Sequence, residues 1–255
     1  MPAPSGIIII DKPRGPSSMH VCANIRWRLR AAGAPKNIKV GHGGTLDPLA
    51  TGVLVVLVGK ATPLCNAVMA GAKEYLTDID LSALSTTDDA EGDLTPVPVD
   101  HPPDRPALEH AAARFVGTIM QTPPAYSAIK IDGRRAYDIA RRHGTDALTD
   151  RLKPRPVRVD ACEILHYEWP SLRLRVACGK GTYIRSLARD LGAVVGAGGY
   201  LTALRRTRVG RWTIDQARSL DALPDTLTQA DLLPVPPTGE IDPTTAPAPH
   251  ATPDA

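Results

Sequence analysis

The chain has 255 residues, of which 43% are hydrophobic, so it is long enough for one large domain with a substantial core. Its formal net charge is only +3, but residues 130–211 hold 18 Lys/Arg against 8 Asp/Glu, whereas residues 77–110 hold nine acids and one Arg. No apolar run reaches the length of a membrane span, and the first residues lack the features of a secretory signal. We therefore expect a soluble, cytoplasmic protein whose basic stretch suits a polyanion.

The first third of the chain places short apolar runs between glycine-rich segments. Residues 6–11 (GIIIID) predict a buried strand, and Ser17 or Ser18 is expected to cap the helix that follows. A glycine-rich loop at 41–52 leads into a β-branched strand at 53–58 and a short helix near 62–70. The alternating residues 73–81 predict a strand with one solvent-exposed face.

The rest of the chain predicts more strand than helix. We expect an acidic loop at 85–105, helices at 106–116 and 134–143, and a β-hairpin formed by 156–169 and 171–178. A helix opening at 179–181 and running to Gly192, a last strand near 206–214 and a short helix at 220–223 follow. This pattern predicts an α+β or mixed α/β fold around a large, mostly antiparallel sheet. We expect residues 1–233 to form one domain and residues 234–255 to form a disordered, Pro-rich tail.

The densest cluster of unusual residues is the loop GHGGTLDPLATG at 41–52. Its glycines allow a ligand to approach the backbone closely, and Pro48 biases Asp47 toward an extended conformation. The spacing is not that of a phosphate-binding loop, and only His42 and Asp47 are potential metal ligands here. The four cysteines are scattered and form no C-x-x-C pair. The loop therefore indicates a site without identifying it, since Asp-Pro is also typical of a simple turn.

The stretch GHGGTLDPLATGVLVV resembles the signature of the TruB family of tRNA pseudouridine synthases. Five further segments resemble the family in the same order: GIIIIDKPRGPSS, KEYLTDIDL, TPPAYSAIKIDGRRAYDIAR, CGKGTYIRSLARDLG and YLTALRRTRVG. The resemblance covers residues 5–215. It implies a pseudouridine synthase fold with a catalytic cleft and an isomerase that uses no metal or cofactor. The implied substrate is the T-stem-loop of tRNA, whose uridine 55 is flipped out and isomerised.

The resemblance also implies roles for individual residues. Asp47 is the implied nucleophile, which either adds covalently to the sugar or base or stabilises positive charge at C1′. The implied substrate-binding residues are His42, which helps the uridine swing out; Tyr75, which stacks on the flipped base; Tyr183 and Leu204, which contact the substrate; and Arg185, which pairs with Asp47. Both tyrosines and Leu204 also fit ordinary packing positions. The candidate phosphate contacts are Arg134, Arg135, Arg141, Arg142, Arg205, Arg206 and Arg208.

Two departures from the family pattern and two alternatives remain. Many relatives have Thr where this chain has Gly43, and many carry a C-terminal PUA domain, for which we expect no room here. One alternative is a tRNA-binding or tRNA-folding protein of the same fold without catalysis. Another is a guide-RNA-dependent synthase, which the missing C-terminal domain disfavours. We expect a monomer that acts on tRNA without guide RNA or membrane.

Overall fold

The computed structural model describes residues 2–127, 129–148 and 151–237. The chain divides into two compact units, with Met1–Tyr75 and Arg205–Ala255 in unit 1 and Leu76–Leu204 in unit 2. The helices in the described residues are α1 (Ser18–Ala31), α2 (Cys65–Ala70), α3 (Arg105–Ala113), α4 (Ala136–His143) and α5 (Ile184–Val194). None of the helices in these ranges has the length and hydropathy needed to cross a membrane.

The strands range in length from two residues in the shortest to 14 in the longest. They are β1 (Gly6–Lys12), β2 (Val40–His42), β3 (Thr51–Val58), β4 (Lys73–Asp80), β5 (Ala83–Ser85), β6 (Leu94–Pro96), β7 (Gly117–Gln121), β8 (Lys130–Ile131), β9 (Arg134–Arg135), β10 (Arg155–Glu168), β11 (Ser171–Cys178), β12 (Tyr200–Val209), β13 (Trp212–Thr213) and β14 (Arg218–Ser219). Single 3-10 turns lie at Gly59–Leu64, Asp146–Leu148, Ile214–Gln216 and Gln229–Asp231.

Ten of these strands belong to one mixed sheet. In unit 1 the strand order is β14-β1-β3-β12-β4, with β2 on β3 and β13 on β12. In unit 2 the order is β12-β4-β11-β10-β7. The β1–β14 and β3–β12 pairs are parallel, whereas β1–β3, β2–β3, β10–β11 and β7–β10 are antiparallel. The expected mixed fold with a large, mostly antiparallel sheet is therefore confirmed.

The core of unit 1 lies on both faces of the β1–β3 pair. On one face Ile8 and Ile10 of β1 join Val56 and Leu54 of β3 and pack against α1. On the other face Ile7, Ile9, Val55 and Leu57 pack with Val68 and Trp212. Strands that are buried on both faces need apolar residues at every position, which explains the unbroken runs IIII and VLVVLV.

Several expected elements differ in the structure. Strand β4 does not have one fully wet face, because Glu74 is buried and Asp78 and Asp80 are only half-exposed. The last long strand begins at Tyr200 rather than near 206, and the expected acidic loop contains strand β6, which pairs with β5 just before it. Residues 220–223 are not helical. Edge strand β7 was not expected, because its residues are mostly exposed and show no alternation.

Part of the expected tail is described. Val235 packs against the second cluster of the unit 1 core, and residues 238–255 lie outside the described residues. The boundary expected at 233/234 stays a prediction.

Gly52 gives the first test of this architecture. Its φ is +98°, and a Cβ there would lie 2.2 Å from the carbonyl oxygen of Arg206 on β12, its partner in the parallel register. Gly33 has a similar φ of +90°, but a Cβ there meets no atom within 4 Å. Gly33→Ala should therefore lose only the backbone preference, about 1–3 kcal/mol, and Gly52→Ala distinctly more. Urea unfolding of both variants measures the difference, and equal losses would contradict the close β3–β12 approach.

Candidate active site

Asp47 lies on the loop between β2 and β3, and the residue before it is fixed by the start of α1. The buried Ser18 hydroxyl donates to the carbonyl oxygen of Leu46 at 2.9 Å and accepts from the Leu46 N–H at 2.8 Å. The neighbouring Ser17 caps the helix by accepting from the N–H of His20. Ser17 therefore caps the helix, and Ser18 fixes the loop at Leu46.

A buried arginine holds both sides of the same loop. Arg206 on β12 is 2% exposed, and its Nε donates to the carbonyl oxygen of Val53 at 2.8 Å. Its Nη1 and Nη2 donate to the carbonyl oxygens of Thr45 and Gly44 at 3.3 and 3.1 Å. Because a guanidinium carries its donors in a rigid fork, the spacing between the loop and β3 is fixed.

Lys12 secures the residue that follows Asp47. Its ammonium is fully buried and donates to the carbonyl oxygens of Pro13 and Pro16 at 2.8 Å and of Pro48 at 3.3 Å. The Gly15 N–H also donates to Pro48, at 2.8 Å. The half-buried Asp47 is thus flanked by backbone that buried donors fix on either side.

The structure bears on two of the expected phosphate contacts. The prediction for Arg206 is wrong, and Arg205 is engaged in an ion pair. Arg206 is a buried structural residue and is not available to RNA phosphates. Arg205 forms a two-point ion pair with Asp11, at 3.1 and 2.8 Å. An alternating strand turns successive side chains to opposite faces, so the Arg-Arg pair seen in the sequence could not both be surface residues.

His42 ends β2 at the entrance to the loop. Its Nδ1 accepts from the Gly44 N–H at 3.4 Å, so a neutral ring carries its proton on Nε2. Burial, together with the positive charge of Arg206, lowers the pKa of His42 from its usual 6.5. Tyr75, also in unit 1, is a buried residue of β4.

Gly43 packs closely against α2. A Cβ on Gly43 would lie 2.2 Å from Cγ1 of Val68 on α2. A threonine here would therefore require Val68 to move or to be smaller.

In unit 2, Arg185 on the first turn of α5 joins two loops. It is 6% exposed and donates to the carbonyl oxygens of Thr87 at 3.1 Å and Tyr126 at 2.9 Å. Its Nη1 lies 3.6 Å from Oδ2 of Asp89, which is also buried.

A second arginine, one turn along α5, supports the first. Arg189 pairs with Asp88 at 2.8 Å and donates to the carbonyl oxygen of Thr122 at 3.1 Å. Burial raises the pKa of Asp88, and Arg189 opposes that rise. Two arginines at i and i+4 thus hold the 87–89 and 122–126 segments against one helix.

Tyr183 lies immediately before α5 and is held by a buried amide. Gln121 accepts from the Tyr183 N–H at 2.8 Å and donates to its carbonyl oxygen at 3.1 Å. The guanidinium of Arg155 lies 5.3 Å from the centre of the tyrosine ring. The backbone at Tyr183 is extended, so the helix begins at Ile184 and not at the glycines. Leu204 on β12 is 8% exposed.

The structure distributes the expected site residues between the units. His42, Asp47 and Tyr75 belong to unit 1, and Tyr183, Arg185 and Leu204 belong to unit 2. The Arg185–Asp47 pair stays a prediction. The sequence did not single out Lys12, Gln121 or Asp89 as positioning residues, and it indicated Ser18 only as a candidate helix cap. The one available signal was a charged or polar residue directly beside an apolar run, as at Lys12. In the described ranges, no three His, Cys, Asp or Glu side chains group as metal ligands would.

Comparison with known proteins identifies the family of this chain. Residues 30–184 match the N-terminal domain model of the TruB family of pseudouridylate synthases, and residues 185–234 match the C-terminal domain model of tRNA pseudouridylate synthase B. Three relatives are named tRNA pseudouridine synthase B. The protein of Phocaeicola vulgatus is 40% identical, covering 89% of this chain and 94% of its own. Those of Mycobacterium bovis and Thermobifida fusca are 45% and 47% identical, each covering 86% of this chain and 71% and 74% of their own.

Solved structures agree. A chain of a Cbf5-Nop10-Gar1 complex superimposes with a TM-score of 0.63 at 30% identity, covering 85% of this chain and 52% of its own. An H/ACA RNP bound to a substrate RNA containing 2′-deoxyuridine gives a TM-score of 0.60, also at 30% identity, covering 85% and 51%. This chain thus spans about half of those solved chains.

The fold and these matches define a pseudouridine synthase, which is an isomerase. The chain belongs to the TruB family, since the N-terminal family model alone matches more than half of it.

The two adjacent serines give a matched test of the loop. Ser17→Ala removes a helix cap, about 1 kcal/mol, and Ser18→Ala leaves the Leu46 N–H and carbonyl without their partner, about 1–3 kcal/mol. Both variants should lose stability, but only Ser18→Ala should lower turnover, by about tenfold or more, because Asp47 is no longer held in place. Turnover is measured well below both melting temperatures. An equal effect of the two variants on turnover would contradict the positioning role.

His42 gives a test by pH. Its folded pKa lies below 6.5, so the unfolded chain binds the proton first as the pH falls. Its contribution to stability is therefore complete above about pH 6.5 and is lost progressively below it. His42→Asn keeps an acceptor for Gly44 but does not titrate. The free energy of unfolding of the wild type should fall relative to His42→Asn only below pH 6.5. A constant difference from pH 5 to 8 would show that the ring is not desolvated.

Proposed function

We propose that this enzyme converts uridine 55 in the T-loop of tRNA to pseudouridine, with Asp47 as its nucleophile. The observation that carries the proposal is the position of Asp47 between Leu46 and Pro48, whose backbone groups are bonded to buried Ser18 and Lys12. Such rigidity serves a carboxylate that must meet one reacting atom. The tRNA substrate is supported by the names of relatives at 40–47% identity.

The reaction requires a group that acts on a glycosidic bond without releasing the base. The C1′–N1 bond breaks, the uracil turns, and a C1′–C5 bond forms. The C5 proton is lost and N1 gains a proton, so the atoms balance without a co-reactant. A carboxylate suits these steps because it can add covalently or stabilise positive charge at C1′.

The other site residues are assigned supporting roles. Tyr75 stacks on the flipped base, and Tyr183 and Leu204 contact the nucleotide from unit 2. A neutral His42 offers its Nε2–H to the uridine without adding charge, consistent with its lowered pKa. Arg185 pairs with Asp47 and orients its carboxylate. Its fixed hydrogen bonds to Thr87 and Tyr126 support this role, because they limit where the guanidinium can lie.

Asp47→Asn tests the proposal directly. We expect isomerisation of an unmodified tRNA transcript to be abolished, with affinity for the tRNA equal or higher, because a negative charge leaves an anion-binding site. Pseudouridine at position 55 is mapped by chemical sequencing, and the assay contains only purified protein and tRNA, so no guide RNA is supplied. Asp215→Asn, at an exposed acid of unit 1, is the control and should keep full activity. Substantial turnover by Asp47→Asn would remove it as nucleophile, and modification elsewhere would refute the assignment of uridine 55.

A further inference from the structure

The outer face of α1 carries an exposed aromatic ring among cations. Trp27 is 61% exposed, whereas the other aromatic side chains in the described ranges are buried or half-buried. A solvated indole gives up a large burial energy, so an exposed one among charges is typical of a contact surface.

The sequence around this face is strongly basic. From Lys12 to Lys73 the chain has nine Lys/Arg and a single acid, Asp47. Lys12 and Lys73 are buried, and Arg28 is occupied by the carbonyl oxygens of Leu220, Leu223 and Pro224. The remaining cations near α1 are exposed, except for Arg26, which is half-buried.

Hydrogen bonds bring these cations side by side. Arg26 donates to the carbonyl oxygen of Val40 at 3.0 Å, and Arg30 donates to that of Lys36. The carbonyl of Lys39 accepts from the Gly59 N–H at 2.9 Å, which places Lys60 next to it. We call this group, Arg26, Trp27, Arg30, Lys36, Lys39 and Lys60, the α1 surface. Within the described residues none of its five cations has a carboxylate partner at ion-pair distance.

The α1 surface is attached directly to the Asp47 loop. Ser18, the first residue of α1, bonds Leu46, and Trp27 lies nine residues further on, about 14 Å along the helix axis. A macromolecule that reaches Asp47 can therefore also reach Trp27.

We infer that the α1 surface binds an unpaired nucleotide and its flanking phosphates in the tRNA substrate, outside the T-stem-loop. This inference rests on the proposed function for the identity of the RNA. Cations neutralise phosphates, and an exposed indole stacks on a base that is not paired. A membrane surface fits less well, because the exposed apolar residues of α1 are limited to Met19, Trp27 and two small alanines, Ala23 and Ala31.

The test compares whole tRNA with the isolated T-stem-loop hairpin. Trp27→Ala should raise the KM for whole tRNA by about fivefold or more and leave the KM for the hairpin unchanged, while Trp27→Phe keeps most of the affinity. Arg30→Glu and Lys36→Glu should each flatten the salt dependence for whole tRNA by at least about 0.7 to 0.9 of a unit. Arg114→Glu, at an exposed residue after α3, is the charge-matched control and should change neither value.

A second readout does not depend on activity. The fluorescence of Trp27, taken as wild type minus Trp27→Phe, should be quenched by acrylamide and shielded by whole tRNA, but not by the hairpin or by anionic lipid vesicles. If the vesicles shielded Trp27, the partner of the α1 surface would be a membrane and not RNA. If a higher protein concentration alone shielded it, the partner would be a second copy of this chain. The inference would also be overturned if Trp27→Ala raised the KM for the hairpin and for whole tRNA equally, or raised neither. If the enzyme does not modify uridine 55 but whole tRNA still shields Trp27, the proposed function is wrong, whereas the binding of tRNA by the α1 surface is supported.

Discussion

The fork of hydrogen bonds from Arg206 to Gly44, Thr45 and Val53 is the constraint on which the site in unit 1 depends. A buried charge is costly unless it is fully bonded, so this arginine is stable only when the loop has its observed shape. The dependence runs both ways, because the carbonyl of the buried Val53 has no access to water and needs the Nε donor. The geometry of the loop and the packing of Arg206 on β12 therefore depend on each other.

Both units fix a candidate site residue in the same manner. A buried polar side chain bonds the N–H and the carbonyl of a single residue, as Ser18 does for Leu46 and Gln121 does for Tyr183. These two hydrogen bonds replace the pair that a neighbouring strand would make, at residues that lie outside the sheet. The backbone is thus fixed next to the candidate carboxylate in unit 1 and at the candidate tyrosine in unit 2.

Much of the fold was predictable because its signals are local. The runs IIII and VLVVLV are apolar at every position, and the cap at Ser17 and the hairpin across Pro170 have short-range patterns. The loop of Asp47 was also predictable from its glycines and proline. The roles of Arg206 and Lys12 were not, because their burial depends on partners elsewhere in the chain. The edge strand β7 was missed because it gains its structure only from pairing with β10.

Arg206 lies 161 and 162 residues after the carbonyls of Thr45 and Gly44 that it holds. During synthesis, the segment with Asp47 leaves the ribosome long before its guanidinium partner exists. Contacts of such sequence separation form late, because the intervening chain must first be ordered. The Asp47 loop is therefore completed only after Arg206 has been made. A nascent or prematurely terminated chain would carry the motif without its geometry, and would not modify RNA.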